Sequence, residues 1–153
     1  MIRRYQPADC EDVLRVWTHA SAVAHPFLSE EFLALERHSI PTVYLPNAET
    51  WVWVADEQVI GFISLLGNEV GAIFVDPTFH RAGIGRALMD RAKDLRGELE
   101  VEVFERNQLG RAFYTKLGFE FLHQKVHDQT GFEVIRLRLA ASNPLQPIGF
   151  ACG

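Results

Sequence analysis

The segment Val75-Asp76-Pro77-Thr78-Phe79-His80-Arg81-Ala82-Gly83-Ile84-Gly85-Arg86-Ala87-Leu88 carries the most chemical information in the chain. It reads as the end of a strand, a proline turn, a loop with two glycines and the start of a helix. Gly83 and Gly85 remove side chains where the backbone turns tightly. The first N–H groups of the helix are then free to face an anion, and the helix dipole adds to the attraction. Arg81 and Arg86 bring two guanidinium groups to the same place. The chemistry this favours is the binding of a phosphate-like anion. An ordinary strand-to-helix turn has the same grammar, so a lone G-x-G does not decide the matter. There is no G-K-[ST] of a P-loop, no third glycine to complete G-x-G-x-x-G, and the unit is not the N-terminal one. Nucleotide hydrolysis and dinucleotide binding both lose ground.

A second block, Asn107-Gln108-Leu109-Gly110-Arg111-Ala112-Phe113-Tyr114-Thr115-Lys116-Leu117-Gly118-Phe119, follows the first after one strand. Together the two resemble the GNAT superfamily of N-acetyltransferases. The family signature R/Q-x-x-G-x-G/A appears as His80-Arg81-Ala82-Gly83-Ile84-Gly85, with His80 where Arg or Gln is usual. The second block is similar to the family's N-x-x-A-x-x-F-Y-x-K-x-G-F, offset by one residue between Asn107 and Ala112. The strand and helix order extends the resemblance from Ile2 to about Leu139. His25-Pro26-Phe27 and Tyr44-Leu45-Pro46-Asn47-Ala48 are similar to a small bacterial subgroup of these enzymes.

The resemblance implies a sheet splayed between the fourth strand, Glu69 to Asp76, and the fifth, Leu99 to Phe104, with the pantetheine arm of acetyl-CoA lying along the fourth. Backbone of Ile73, Phe74 and Val75 would bind the arm, an N–H near Phe74 would polarise the thioester carbonyl, and Asn107 would contact the cofactor. The loop Arg81, Ala82, Gly83, Ile84, Gly85 and Arg86 would hold the pyrophosphate. Transfer of acetyl to an amine then needs a base, because a lysine amine has a reference pKa of about 10.4 and must lose a proton before it attacks. The departing thiolate needs a proton donor, and Tyr114 suits that role because it lies off the apolar stripe of its helix. Glu69 aligns with the fourth-strand glutamate that many members use as base; a solvated charge after a turn is the equal alternative. Glu102, central in the fifth strand, and His25 with Phe27, at the helix break, are candidates for the acceptor side.

The elements that must position these groups follow from periodicity. Ile2 to Tyr5 reads as a strand. Val13, Leu14, Val16, Trp17 and Ala20 recur at helical spacing until His25-Pro26 interrupts them, and Ser29 with Glu30 and Glu31 opens a second helix to about His38. Pro41 and Pro46-Asn47 predict a loop. Thr50 to Ala55, Val59 to Leu66 and Glu69 to Asp76 predict three antiparallel strands, with Trp51 and Trp53 together on a core face. Ile84, Leu88, Ala92 and Leu95 share one face of a helix that stops near Gly97. Leu99 to Phe104 is a strand, Asn107 opens a helix that ends at Gly118, and Phe119 to Val126 and Phe132 to Leu139 are the last two strands. The order β-α-α-β-β-β-α-β-α-β-β predicts an α/β fold: a mixed, mostly antiparallel sheet of about seven strands with helices on both faces. Residues 1–140 read as one domain, and 141–153, with Pro144, Pro147, Gly149 and Gly153, as an extended tail.

Composition bounds the function. With 153 residues, 48% of them apolar, the chain can bury one ordinary core. No apolar stretch approaches the roughly 20 residues of a membrane span, and no signal or lipidation motif is legible, which points to a cytoplasmic protein. The two cysteines, Cys10 and Cys152, support neither a disulfide framework nor a metal site. The net charge of −5 disfavours nucleic acid, including an aminoacyl-tRNA acceptor, and suits a cationic one. A protein or peptide amine is the favoured acceptor, with a small-molecule amine as the alternative. A domain that holds acyl-CoA without turnover is the competing class, and the assembly is expected to be a monomer or homodimer.

Overall fold

In the computed structural model, which describes residues 1–141, the seven strands form one sheet in the order β1-β2-β3-β4-β5-β7-β6. Residues 142–153 of the expected tail lie outside the described residues. The strands are β1 (Ile2–Arg4), β2 (Glu49–Ala55), β3 (Gln58–Leu66), β4 (Glu69–Val75), β5 (Leu99–Phe104), β6 (Glu120–Val126) and β7 (Glu133–Leu139). Every neighbouring pair is antiparallel except β4 with β5, which is parallel, so the sheet is mixed as expected.

Helix α1 (Cys10–Ala24) covers one face of the sheet and α4 (Ile84–Arg96) the other. Each buries its own stripe. Val13, Val16 and Trp17 of α1 pack with Val52, Val59 and Phe62, whereas Ile84, Leu88, Met89 and Ala92 of α4 pack with Ile63, Leu65 and Val101. β3 lies between the two layers and is buried from Val59 to Leu65. Helix α2 (Glu30–Ser39) starts where Ser29 Oγ accepts the Phe32 N–H at 3.1 Å. Helix α5 (Gln108–Leu117) ends at Gly118, whose φ of +97° suits only a residue without a side chain.

β4 and β5 pair only at their first residues, Glu69 with Glu100 and Val70 with Val101. Beyond that point each strand follows a different partner. β4 stays with β3, where the register skips Gly71 between Val70 and Ala72, and such a bulge bends the strand and increases its twist. β5 pairs with β7 over its whole length, from Leu99 with Leu139 to Phe104 with Val134. The sheet is thus two halves, β1 to β4 and β5-β7-β6, joined at one end and parted at the other.

Three expectations are corrected. The loop predicted around Pro41 and Pro46 is instead wound: Ile40–Tyr44 forms a π-helical turn that continues α2, and Leu45–Asn47 forms the short α3. Pro41 and Pro46 lie inside this continued run, where neither has an N–H to give to the preceding turn, and the chain there takes a wider π-helical turn and a short new segment rather than leaving the helix. Tyr114 faces the core after all, with 7% exposure and its ring against Phe113 and Phe119 at 5.4 Å each, because α5 is held by aromatic contacts as well as by its aliphatic stripe. Leu109, placed on that stripe, is 55% exposed. Trp51 and Trp53 pack partly buried against the core as expected, and the Trp51 ring also meets the guanidinium groups of Arg4 at 5.6 Å and Arg91 at 4.6 Å.

Gly85 sets how closely α4 and α5 approach. A Cβ at this position would lie 3.1 and 3.2 Å from two ring carbons of Phe113. Gly85→Val is therefore expected to destabilise the fold by about 1–3 kcal/mol, the usual cost of overpacking. Thermal unfolding followed by circular dichroism checks this, and an unchanged midpoint would mean that α5 yields without cost.

Candidate active site

The parting of β4 and β5 opens two cavities, one on each side of the gap. The first lies between the end of β4, the start of α4 and α5, and has a volume of about 660 Å³. Its lining includes His80, Arg81, Arg86 and Lys116 and contains no Asp or Glu. Gly83, with φ of +80°, ends the loop that leads into α4; a Cβ there would meet nothing within 4 Å, so the backbone stands open to the cavity. The first bond of the helix runs from the Ala87 N–H to the Gly83 carbonyl at 3.0 Å, which leaves the N–H groups of Ile84, Gly85 and Arg86 without intrahelical partners. Arg81 has φ of +69°, a conformation uncommon for a residue with a side chain, and it follows the unusual His80. His80 is not idle: its Nε2 lies 3.1 Å from the Val75 carbonyl and latches the loop to the end of β4.

The backbone of β4 faces this gap in alternation. The Asp76 N–H donates to the Ile60 carbonyl at 2.8 Å, so Asp76 points toward β3, and by the two-residue period so does Phe74. Ile73 and Val75 then point into the gap, consistent with the Val75 carbonyl reaching His80. The free N–H groups expected near Phe74 accordingly belong to its two neighbours.

The second cavity, about 380 Å³, lies between α1, α2, the π-helical turn and the β4 and β5 strands. Its lining holds Glu36, Glu69 and Glu102 and contains no Lys or Arg. Glu69 spends Oε2 on Arg136 Nη1 at 2.9 Å, and the same guanidinium donates to Glu100 at 2.9 Å. Glu102 has Lys125 Nζ at 3.7 Å. His25 closes the wall nearest the gap, edge-on to Phe27, Phe74 and Phe104. This burial pushes its pKa down to about 4, so the ring is neutral at physiological pH. Asn107 fixes the tautomer. Its Oδ1 accepts the Gly110 N–H at 2.9 Å and so caps α5, which turns its Nδ2 toward His25 Nε2 at 3.3 Å. Nε2 is then the acceptor and Nδ1 carries the hydrogen.

Ile73, Phe74, Asn107 and Tyr114 line both cavities and form their junction. Burial raises the Tyr114 phenol well above its ordinary value, so it stays protonated. Burial alone accounts for this shift, and no hydrogen bond to the hydroxyl contributes to it among the described residues. A protonated donor thus stands where an anionic and a cationic compartment meet.

The structure brings most of the expected residues together. Ile73, Phe74, Val75, Arg81, Gly83, Ile84, Gly85, Arg86 and Asn107 line the cationic cavity, and Ala82 sits exposed in its loop. His25, Glu69, Glu102 and Tyr114 line the acidic one, and Phe27 supports it from behind His25. Sequence reasoning missed Glu36, Tyr44, His127 and Arg136, which reach the site from α2, the π-helical turn and the last hairpin. Tyr44 falls in a block that carried only the subgroup resemblance, no local motif marks the other three, and only the long-range packing of those elements brings all four here. Among the described residues no group of three or more metal-ligating side chains is present, and no helix is long and apolar enough to cross a membrane.

The profile of the acetyltransferase (GNAT) domain matches residues 46–121, which span β2 to the start of β6 and include the whole junction. The peptidyl-lysine N-acetyltransferase YiaC of Escherichia coli strain K12 is 35% identical over 85% of this chain and 90% of its own length. The peptidyl-lysine N-acetyltransferase YjaB of the same organism is 33% identical over 91% of this chain and 95% of its own. The solution structure of apo YjaB superimposes with a TM-score of 0.83, covering 93% of this chain and 98% of that one at 30% identity. In fold alone, the PaiA N-acetyltransferase of Thermoplasma acidophilum, solved in complex with coenzyme A, is similar with a TM-score of 0.72 at 20% identity over 93% and 98% of the two chains. The chain belongs to the GNAT family, and it is an acetyltransferase that acts on an amine.

The buried His25 makes stability depend on pH. An unfolded histidine protonates near 6.5, whereas the folded ring resists until about 4, so between these values the unfolded state binds more protons. This contribution is fully present above pH 6.5 and is lost as pH falls toward 4. His25→Phe keeps ring contacts and removes the titration. The urea midpoint is expected to fall between pH 7.5 and 5 by a larger amount in the wild type than in His25→Phe; equal falls would place the imidazole in solvent.

Proposed function

We propose that the chain transfers the acetyl group of acetyl-CoA to the side-chain amine of a lysine in a protein or peptide, by direct attack across the junction of the two cavities. The observation that carries this reading is the segregation of charge: among the described residues one compartment is lined by Arg81, Arg86, Lys116 and His80 and by no carboxylate, the other has carboxylates and no Lys or Arg, and Tyr114 lines both. The residues present fit the cofactor, since its pyrophosphate needs the open N–H groups of Ile84, Gly85 and Arg86 and the positive charge of Arg81 and Arg86. When bound, acetyl-CoA supplies an activated acyl group on sulfur.

The N–H groups of Ile73 and Val75 hold the pantetheine arm along β4 as an added strand, in the gap that β5 leaves. An N–H beside Phe74 then polarises the thioester carbonyl. Asn107, already fixed by Gly110 and His25, positions the arm from the other wall. On the acceptor side Glu69 presents Oε1, the oxygen Arg136 leaves open, and takes the amine's proton directly or through water. As the C–N bond forms and the C–S bond breaks, the Tyr114 hydroxyl donates its proton to the departing thiolate, and the phenolate is reprotonated by the second proton, which the new amide nitrogen sheds. YiaC and YjaB, whose names give peptidyl lysine as their acceptor, support the choice of a lysine, and we place the enzyme in the cytoplasm. A small-molecule amine is the alternative acceptor.

Thiol release from acetyl-CoA in the presence of a lysine peptide tests the mechanism. Tyr114→Phe keeps the ring contacts and is expected to lower turnover about 10²–10⁴-fold, with little change in melting temperature or CoA affinity, because no described residue loses a hydrogen bond. Glu69→Gln is expected to slow the reaction most at low pH, where the free-amine fraction is smallest. A folded, CoA-binding Tyr114→Phe with near wild-type turnover would remove the phenol from the mechanism.

A further inference from the structure

The carboxylates of the acidic cavity differ in how they are neutralised. Glu69 shares Arg136 with Glu100, and Glu102 faces Lys125, both on the sheet side. Glu36 stands opposite them on α2 and has no basic partner within 4.0 Å among the described residues. Arg37, its neighbour in sequence, turns away to Thr18 Oγ1 at 2.6 Å. Glu36 is nevertheless held in place, because the Tyr44 hydroxyl donates to Oε1 at 2.9 Å. Burial and the carboxylate itself push the Tyr44 phenol up to about 12, so this donor keeps its proton throughout the neutral range. The lining carries a second unanswered polar group, on α1. Ser21 lines the cavity with 2% exposure, and its Oγ is buried without a partner.

An oriented, uncompensated carboxylate on the wall of a cavity is a receptor for a cation. That cation cannot usefully be the reacting amine, because a carboxylate that holds an ammonium favours its charged form and opposes the deprotonation that attack requires. The group that suits Glu36 is one whose charge persists through the reaction. We infer that Glu36, oriented by Tyr44, selects acceptors that carry a second cation beside the reactive lysine, that is, lysines flanked by another basic residue. This rests on the lysine-acetyltransferase reading and specifies which lysines it serves. Glu36 is a specificity-determining residue in this account. The sheet-side carboxylates, already met by Arg136 and Lys125, do not compete for the second charge.

Three synthetic peptides test this, alike except that the single lysine is flanked by arginine, by alanine or by glutamate. The readout is the ratio of kcat/KM for the arginine-flanked over the alanine-flanked peptide within each protein, so a variant that folds poorly lowers both rates and leaves the ratio readable. The wild type is expected to prefer the arginine-flanked peptide by about 3- to 5-fold, the scale of a partly exposed ion pair, and to disfavour the glutamate-flanked one. The preference should shrink as salt is raised. Glu36→Gln is expected to bring the ratio to about one. Wild type without a preference, or Glu36→Gln with the wild-type ratio, would overturn the inference while leaving lysine acetylation intact. Acetylation of none of the three peptides, by an enzyme that still releases thiol with small amines, would overturn the peptide reading and this inference with it.

Discussion

The separation of β4 from β5 is the constraint on which the rest depends. Two parallel neighbours ordinarily share a ladder along their length, and here they share it at Glu69 with Glu100 and Val70 with Val101 alone. The unmade hydrogen bonds of the remaining β4 residues are tolerable because the gap is accessible to water and, in the proposed reaction, to an extended ligand arm. What holds the halves apart is each strand's loyalty to its other partner, reinforced on the β4 side by the Gly71 bulge. What keeps the halves joined is the packing of α4 beneath both, with Met89 and Ala92 buried against a core that extends from Ile63 to Leu137.

That geometry lets one sheet hold opposite charges on its two sides without mutual cancellation. The cationic side gathers backbone N–H groups, a helix dipole and Arg81 with Arg86, all at the start of one helix. The acidic side draws on β4, β5 and α2. Between them stand residues that are neutral at physiological pH: His25, forced neutral by its aromatic surroundings, Asn107, and Tyr114, whose burial keeps its proton in place. A charged residue at the junction would bias one compartment against its occupant. Neutrality there is as much a part of the site as the charges on either side.

Most of the fold was legible in the sequence because its periodicities are clean, as in the alternation of Leu99, Val101 and Val103 in β5 and the stripe of Ile84, Leu88 and Ala92 in α4. The cofactor side was legible for a related reason: it is built from one contiguous loop, so spacing alone brought Arg81, Gly83 and Gly85 together. The acceptor side was only partly so. Glu36 lies on α2, a helix the periodicity marks, but Tyr44, which orients it, lies on the π-helical continuation where Pro41 and Pro46 suggested a loop, and Arg136 reaches Glu69 from 67 residues away. Tyr114 was assigned a chemical place from the motif, yet its burial follows from rings at Phe113 and Phe119 that a simple stripe does not register. Likewise, an N–H was expected near Phe74, whereas the direction of each β4 peptide depends on the phase of its pairing with β3.

The central claim is that the gap between the two half-sheets receives the acetyl donor while their shared base stays closed. Amide chemical-shift mapping by NMR, on titration with acetyl-CoA, tests it most directly. The account predicts large perturbations at Ile73 to Val75, at Arg81 to Arg86 and at Asn107, with Glu69, Val70, Glu100 and Val101 shifting little and the β1 and β2 strands remaining unperturbed. Saturable binding with its largest shifts around Trp51 and Arg91, or with loss of the Glu69 to Val101 pairing, would contradict it.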